Sequence, residues 1–210
     1  QTSLDSAAQK AVLELLERDA FLSYWLTKQT PDRLDVDTIP DNSLRDLIRS
    51  IESYGHSVYV CNVTSDNKVP VVATIVVECP ERGSRLSVGL AASLDSLVAI
   101  KSSLKEPMLM TAGEPAPLGP QSSPVIESLC DRKRYWQNND NHSQADFFIK
   151  GSTKSFLELF PDRGASGLSL KDWLKDYNHQ IYVVELTSQI AKAAGLRVVR
   201  ALSPTLIPFY

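Results

Sequence analysis

The sequence predicts a fold of the α+β class, with antiparallel or mixed sheets flanked by helices. Apolar residues recur every three or four positions from Ala8 to Trp25, which indicates an amphipathic helix. Between residues 56 and 93 the period changes to two, which indicates strands. Helical periodicity returns after Asp95, and strands and helices that occupy separate stretches of chain are typical of this class.

Composition indicates a globular chain without a strongly charged surface. The 210 residues are 43% apolar and carry a formal net charge of −3, so we expect one domain that binds neither nucleic acid nor membrane. No apolar run reaches the ~18 residues that a membrane span needs, and the polar start does not resemble a signal peptide. Three widely spaced cysteines fit a reducing compartment, so we expect a cytoplasmic protein.

The first helix is the clearest predicted element. Asp5 or Ser6 can cap its beginning, and the apolar stripe runs as far as Pro31. A second amphipathic helix follows Asn42 and ends before Gly55, because glycine commonly terminates helices.

Three β-rich runs separated by short polar turns predict an antiparallel meander. They span residues 57–63, 69–78 and 85–91. The helix that begins at Asp95 must kink or end at Pro107, because proline lacks the amide hydrogen that the helix needs.

The second half of the chain has weaker patterns. Residues 113–124 and 137–144 are polar and turn-rich, which predicts loops or a mobile lid. Short helices are predicted over 124–136, 153–160 and 169–178, and a βαβ-like unit over 181–186, 188–194 and 197–202.

Three charged residues share one face of the first helix, because Glu14, Glu17 and Arg18 are spaced at i, i+3 and i+4. Carboxylates are ligands for Mg²⁺ and arginine binds phosphate through two parallel hydrogen bonds, so the trio suits a nucleotide triphosphate. Alternatively, Glu14 and Arg18 form a solvated pair that contributes about 0.3–0.5 kcal/mol and Glu17 is exposed. Spacing alone favours this second interpretation.

The surrounding segment, AVLELLERDAFLSYWL, resembles the second ATP-site helix of YcaO domains, whose motif is SxxxExxER. Glu14, Glu17 and Arg18 occupy the two Glu positions and the Arg position, while Lys10 stands where the family has Ser. The resemblance implies ATP and Mg²⁺ as cofactors. It also implies that Glu14 and Glu17 bind the metal and that Arg18 binds phosphate.

Two later stretches resemble the same family in the same order. Residues 87–95 and the helix after them resemble its Gly-rich strand end and a helix carrying a further nucleotide-site Glu, here Glu106. The family has Gln and often Arg after that Glu, where this chain has Leu109 and Thr111, so an exposed structural role for Glu106 stays open. Residues 181–187, 195–200 and 203–208 resemble the family's strand, helix and strand and its Pro-containing C-terminal segment.

The resemblance implies part of an ATP-dependent peptide cyclodehydratase. Such enzymes convert Cys, Ser or Thr of a ribosomal precursor peptide to thiazoline or oxazoline by phosphorylating the backbone amide oxygen. The implied partners are that peptide, a ThiF-like leader-binding protein and, in some systems, a flavin dehydrogenase.

Residues 1–210 are expected to be an internal-to-C-terminal portion of the domain. The family's earlier Glu-rich ATP-site helix would lie upstream of Gln1, and its Pro-rich tail would lie beyond Tyr210. The remainder of its own domain is therefore a further expected partner. A degenerate, non-catalytic YcaO-like module that binds a partner subunit or a leader peptide is the alternative.

Overall fold

Helix α1 (Leu4–Thr27) packs against both of the sheets that the rest of the chain forms. The computed structural model describes residues 1–66, 69–79, 85–112, 126–137, 139–161, 169–175 and 177–207. The first sheet contains strands β1 (Arg33–Leu34), β2 (Ser57–Asn62), β3 (Val71–Val77), β4 (Leu86–Ala92) and β5 (Thr153–Lys154). The second contains β6 (Tyr182–Glu185) and β7 (Val199–Leu202).

The other helices are short and surround the sheets. They are α2 (Asn42–Ser53), α3 (Ser96–Ser103), α4 (Lys105–Ala112), α5 (Leu129–Gln137), α6 (Asp146–Ile149), α7 (Phe156–Leu159), α8 (Leu170–Trp173) and α9 (Gln189–Ala193). Among the residues that the structure describes, 3₁₀ helices span Val36–Thr38 and Asn139–Ala145. Within the described residues, the chain has no helix with the length and apolar character needed to cross a bilayer.

The five-stranded sheet has the order β4-β3-β2-β1-β5. Strands β2, β3 and β4 form the predicted antiparallel meander, with Tyr59 opposite Ile75 and Ile75 opposite Val88. Strand β5 runs parallel to β1, which makes the sheet mixed. The predicted class, α+β with mixed or antiparallel sheets and flanking helices, is confirmed.

The core lies on both faces of β3, whose first six residues are all buried. On one face Val72 and Val76 pack with Ile48 of α2 and Ile100 of α3. On the opposite face the alternate residues of β3 pack with Ala20 of α1 and with α6. A third cluster joins Val12 and Leu16 of α1 to Leu206 near the end of the chain.

Helix α1 begins two residues earlier than a cap at Asp5 predicts, and three earlier than a cap at Ser6 predicts. Its N-cap is Ser3, whose hydroxyl accepts a hydrogen bond from the Ser6 amide, so Asp5 and Ser6 already lie inside the helix. The helix ends at Thr27, where Lys28 adopts a left-handed conformation before Pro31 is reached.

The break between α3 and α4 falls at Leu104, three residues before the predicted kink at Pro107. Pro107 therefore lies in the first turn of α4, where the amide hydrogen it lacks has no helical acceptor. Gly89 of β4 lets this junction approach the sheet, because a Cβ there would overlap the Ser103 carbonyl oxygen and the Pro107 ring.

Two further predictions need correction. Strands β6 and β7 are antiparallel, and the predicted βαβ-like unit would make them parallel. The five-residue helix α9 rises only about 7.5 Å, too little to carry the chain back along β6. Residues 139–145 form a 3₁₀ helix that occupies most of the predicted loop 137–144, whereas the predicted loop 113–124 lies outside the described residues.

We expect Gly89→Ala to destabilise the fold by about 3 kcal/mol or more, because the added methyl group overlaps backbone as well as side-chain atoms. Gly195→Ala is the comparison, since Gly195 has a positive φ but open space around it and should cost about 1 kcal/mol. Urea unfolding of both variants measures the two values. Equal losses of stability would contradict the close approach at Gly89.

Candidate functional site

The three charged residues predicted on α1 lie where the helix passes between β4 and β7. Leu16 and Ala20 point into the core and are fully buried. Helical geometry therefore directs Glu14, Glu17 and Arg18 away from that core and toward the space between the two sheets.

Glu14 and Arg18 form an ion pair, with 2.7 Å between the Arg18 Nη2 and Glu14 Oε1 atoms. The side chains are 39% (Arg18) and 56% (Glu14) exposed, so the pair stabilises the fold by only about 0.3–0.5 kcal/mol. Both line a cavity of about 370 Å³ between α1 and the chain from Val199 to Ile207. The surface pair predicted as an alternative is therefore present, and it lies at a cavity.

Glu17, which does not line this cavity, is partly buried next to β4. Its Oε2 atom accepts a hydrogen bond from the Ala92 amide at the end of β4, at 3.2 Å. Burial, with smaller contributions from the charges of Glu14 and Glu106, raises the pKa of Glu17 to about 7, although the Ala92 amide and Arg18 oppose the shift. Glu17 is thus not the solvated carboxylate of the alternative interpretation.

Glu106 is exposed in the first turn of α4. Its charge is close enough to act on Glu17, because α4 packs against β4 at Gly89. The charge of Glu106 therefore acts on a carboxylate that is distant in the sequence. Lys10, at the position of the motif's Ser, is exposed on α1.

These carboxylates suit Mg²⁺ held jointly with phosphate. The part of the chain that the structure describes contains no group of three His, Cys, Asp or Glu side chains arranged to hold a metal ion. Mg²⁺ is commonly bound by only one or two carboxylates together with phosphate oxygens and water. Glu14 and Glu17 fit that role, with a guanidinium group beside them for the phosphates.

Sequence reasoning missed two residues beside this site. Asp19 is 8% exposed, and its Oδ1 atom accepts a hydrogen bond from the Ile207 amide at 2.8 Å, which holds the end of the described chain against α1. Burial raises the pKa of Asp19. An acidic residue inside the apolar stripe of α1 was the available signal. The second residue is Arg200, which lines the cavity from β7 and which no pattern on α1 indicates.

Comparisons with known proteins identify the fold. The chain is similar to a heterocyclase solved in complex with substrate and cofactor, with 17% identity and a TM-score of 0.75 over all of this chain and 28% of that one. It is also similar to a chain of the E. coli microcin synthetase McbBCD complex, with 17% identity and a TM-score of 0.60 over 98% of this chain and 53% of that one. A third similar structure is a YcaO protein from Methanopyrus kandleri bound with AMPPCP and Mg²⁺. Its sequence identity is 18% and its TM-score is 0.59, over 91% of this chain and 49% of that one.

The chain thus spans less than a third of the length of the first of these heterocyclases. No curated protein matches it. The family model described as "YcaO cyclodehydratase, ATP- and Mg²⁺-binding" matches residues 2–207. Because that model covers almost every residue, the chain belongs to the YcaO family, whose cofactors are ATP and Mg²⁺.

Proposed function

We propose that this chain is part of an ATP-dependent peptide cyclodehydratase and that Glu14, Glu17, Arg18 and Glu106 belong to its nucleotide site. One observation supports the proposal: Glu14 and Arg18 pair at the edge of a cavity, beside the partly buried carboxylate of Glu17 on the same helix. Because the chain belongs to an ATP- and Mg²⁺-binding family, we propose that these residues bind ATP together with Mg²⁺.

Glu14 and Glu17 are the proposed Mg²⁺ ligands, and Glu106 is the proposed residue of the nucleotide site on α4. The burial of Glu17, and to a smaller extent repulsion from Glu14 and Glu106, disfavours the ionised form of Glu17. A divalent cation would favour that ionised form. In this proposal Arg18 binds phosphate oxygens and stabilises charge that develops on them during transfer.

ATP would supply the phosphoryl group that activates a backbone amide oxygen of the precursor peptide as a leaving group. A neighbouring Cys, Ser or Thr side chain of the peptide first attacks that amide carbon; after phosphorylation the oxygen leaves as phosphate, the nitrogen loses its proton, and the product is a thiazoline or oxazoline. The residues of this chain then bind and orient the phosphates, and no protein nucleophile is required. Two of the similar structures, the first heterocyclase and a McbBCD complex with pro-MccB17, contain bound substrate or propeptide.

The second sheet supports the proposal that the chain works within a larger assembly. All four residues of β6 are exposed, among them Tyr182 at 56%, and Ile190 of α9 is 84% exposed. Soluble proteins rarely leave such contiguous apolar surface uncovered. The proposed neighbours are the remainder of its own domain, a ThiF-like leader-binding protein and, for oxidation of azolines, a flavin dehydrogenase. We propose the cytoplasm as the compartment, in keeping with the buried free thiols of Cys61 and Cys79.

One observation favours the non-catalytic alternative. Leu109, at the position where the family has Gln, is 77% exposed on α4 and offers no polar group to a nucleotide. A degenerate module that binds a partner subunit or a leader peptide would retain the fold without ATP turnover. Binding of ATP by the assembled protein separates the two functions.

We expect Glu17→Gln to stabilise the ligand-free protein by about 1–3 kcal/mol at pH 8. The folded pKa of Glu17 is about 7 and its ordinary value is 4.5, so wild-type stability falls as pH rises between these values. Glutamine avoids that loss and still accepts the Ala92 hydrogen bond. The gain should vanish below pH 4.5, as thermal melts across this range will show.

Glu52→Gln on α2 controls for removal of one negative charge from an exposed helical position. A Glu17→Gln protein that is less stable than wild type at pH 8 would contradict the assigned burial.

The same Glu17→Gln change should weaken Mg²⁺-dependent ATP turnover in the assembled protein, because it removes charge from a proposed metal ligand. Turnover is measured as phosphate release across a Mg²⁺ titration, again beside Glu52→Gln. Wild-type turnover in the Glu17 variant would remove this residue from the site.

Arg18→Lys should raise the apparent Kd for ATP about tenfold, because lysine keeps the charge but loses the planar, two-pronged donor. The melting temperature should barely move, since the pair with Glu14 is exposed. Arg49→Lys is the matched control, because Arg49 forms another exposed pair, with Asp37 on the 3₁₀ helix Val36–Thr38. Unchanged ATP affinity with a lowered melting temperature would show that Arg18 supports only the fold.

We expect the chain to associate with another polypeptide through the exposed apolar surface of β6 and α9. Val184→Lys or Ile190→Glu should reduce recovery of the assembly when the chain is co-expressed with its neighbouring genes, because each places a charge on that surface. Sedimentation velocity measures the assembled fraction. A monodisperse monomer at high concentration that binds none of these products would refute the assembly.

A further inference from the structure

We infer that the outer edge of β7, the edge opposite β6, receives a third antiparallel strand from the polypeptide that leads into Gln1 in the larger domain, an assignment that rests on the proposed function. Gln1 already begins such a pairing. The Arg197 amide donates to the Gln1 carbonyl oxygen at 2.7 Å, and the terminal amine of Gln1 donates to the Arg197 carbonyl oxygen at 3.5 Å. Two residues that exchange both bonds form the hydrogen-bonded pair of an antiparallel ladder.

The pairing of β6 with β7 shows which backbone groups of β7 face its outer edge. The Leu186 amide donates to the Val198 carbonyl oxygen at 2.8 Å, in the same register as the pairs of β6 and β7. Because hydrogen-bonded and non-hydrogen-bonded pairs alternate along an antiparallel ladder, every second residue from Val198 directs its N–H and C=O groups toward β6. Val199 and Ala201 lie between these residues and direct theirs toward the outer edge, which Arg197 also faces.

The outer edge is open for further pairing. Within the described residues β7 pairs with β6 alone, and no backbone hydrogen bond joins Val199 or Ala201 to a residue outside the sheet. Both residues are half-buried, and Ala201 packs beside Val12 and Leu16 of α1. Unpaired N–H and C=O groups along the edge of a strand are a template for another strand.

The pair of Gln1 and Arg197 determines which polypeptide fits this edge. In an antiparallel ladder, the residue that follows one partner lies opposite the residue that precedes the other. The residue two positions upstream of Gln1 therefore falls opposite Val199, and the residue four positions upstream falls opposite Ala201. A strand from another molecule would meet Gln1 on the same edge, whereas an extended chain that continues into Gln1 keeps the existing register.

Amide hydrogen exchange tests this strand, by comparing residues 1–210 alone with the complete protein in the assembly with which it purifies. We expect the Val199 and Ala201 amides to exchange at least about tenfold more slowly in the complete protein, because each gains an acceptor there. The Arg200 and Leu202 amides should be protected in both, since the register directs them toward β6.

A pair of variants at Ala201 tests the same edge within the complete protein. Ala201→Pro removes the N–H group that faces the outer edge and leaves the groups that face β6, whereas Ala201→Ser keeps every N–H group. We expect the proline variant of the complete protein to melt about 2–4 °C below the serine variant, as loss of one backbone hydrogen bond would cause. The two variants of residues 1–210 alone should melt alike.

Unprotected Val199 and Ala201 amides in a complete protein that assembles and binds ATP would overturn the third strand and leave the proposed function intact. Protection that increases with protein concentration would assign the edge to a second copy of the chain and would also overturn it. If the complete protein neither assembles nor binds ATP, the proposed function fails, whereas protected amides in that same protein would still support the strand.

Discussion

The packing of α1 against both sheets is the constraint on which the rest of the structure depends. Within one stretch of this helix, Leu16 and Ala20 are buried in the core. Glu17 accepts a hydrogen bond from the Ala92 amide of β4, and Asp19 accepts one from the Ile207 amide. Adjacent residues of a helix point about 100° apart, so a few positions reach the core, the meander and the C-terminal segment at once. The remaining face, with Glu14 and Arg18, is left for the cavity.

The charged groups on that face contribute little to the stability of the fold. The exposed pair of Glu14 and Arg18 is worth a few tenths of a kcal/mol, and ionised Glu17 is held in surroundings that favour its neutral form. A chain selected only for stability would replace such a carboxylate. Perturbed carboxylates beside a cavity are typical of functional sites, which agrees with the family to which the chain belongs.

Backbone geometry outside α1 decides how closely α4, which carries Glu106, approaches the first sheet. Gly89 has no side chain, so the junction of α3 and α4 lies directly on β4. Pro107 follows in the first turn of α4, next to Glu106, where a missing amide hydrogen costs nothing. The position of Glu106 relative to Glu17 therefore depends on a glycine and a proline that carry no charge themselves.

The sequence by itself determined the fold class, the antiparallel meander, the long first helix and the family. These depend on local periodicity and on motif spacing, which are properties of neighbouring residues. It also placed Glu14, Glu17 and Arg18 on one helical face, because i, i+3 and i+4 positions always share a face. It did not determine the direction of β7 relative to β6. That direction depends on the length of α9, which is too short to carry the chain back along β6.

Only the tertiary structure decided how these charges differ from one another. Glu17 becomes partly buried because β4 lies against it, while Glu14 stays exposed one turn away on the same helix. Asp19 and Arg200 join the surroundings of the site through the fold of the C-terminal segment across α1. Burial and electrostatic interaction depend on distances between residues that are remote in the sequence, and no local pattern contains those distances.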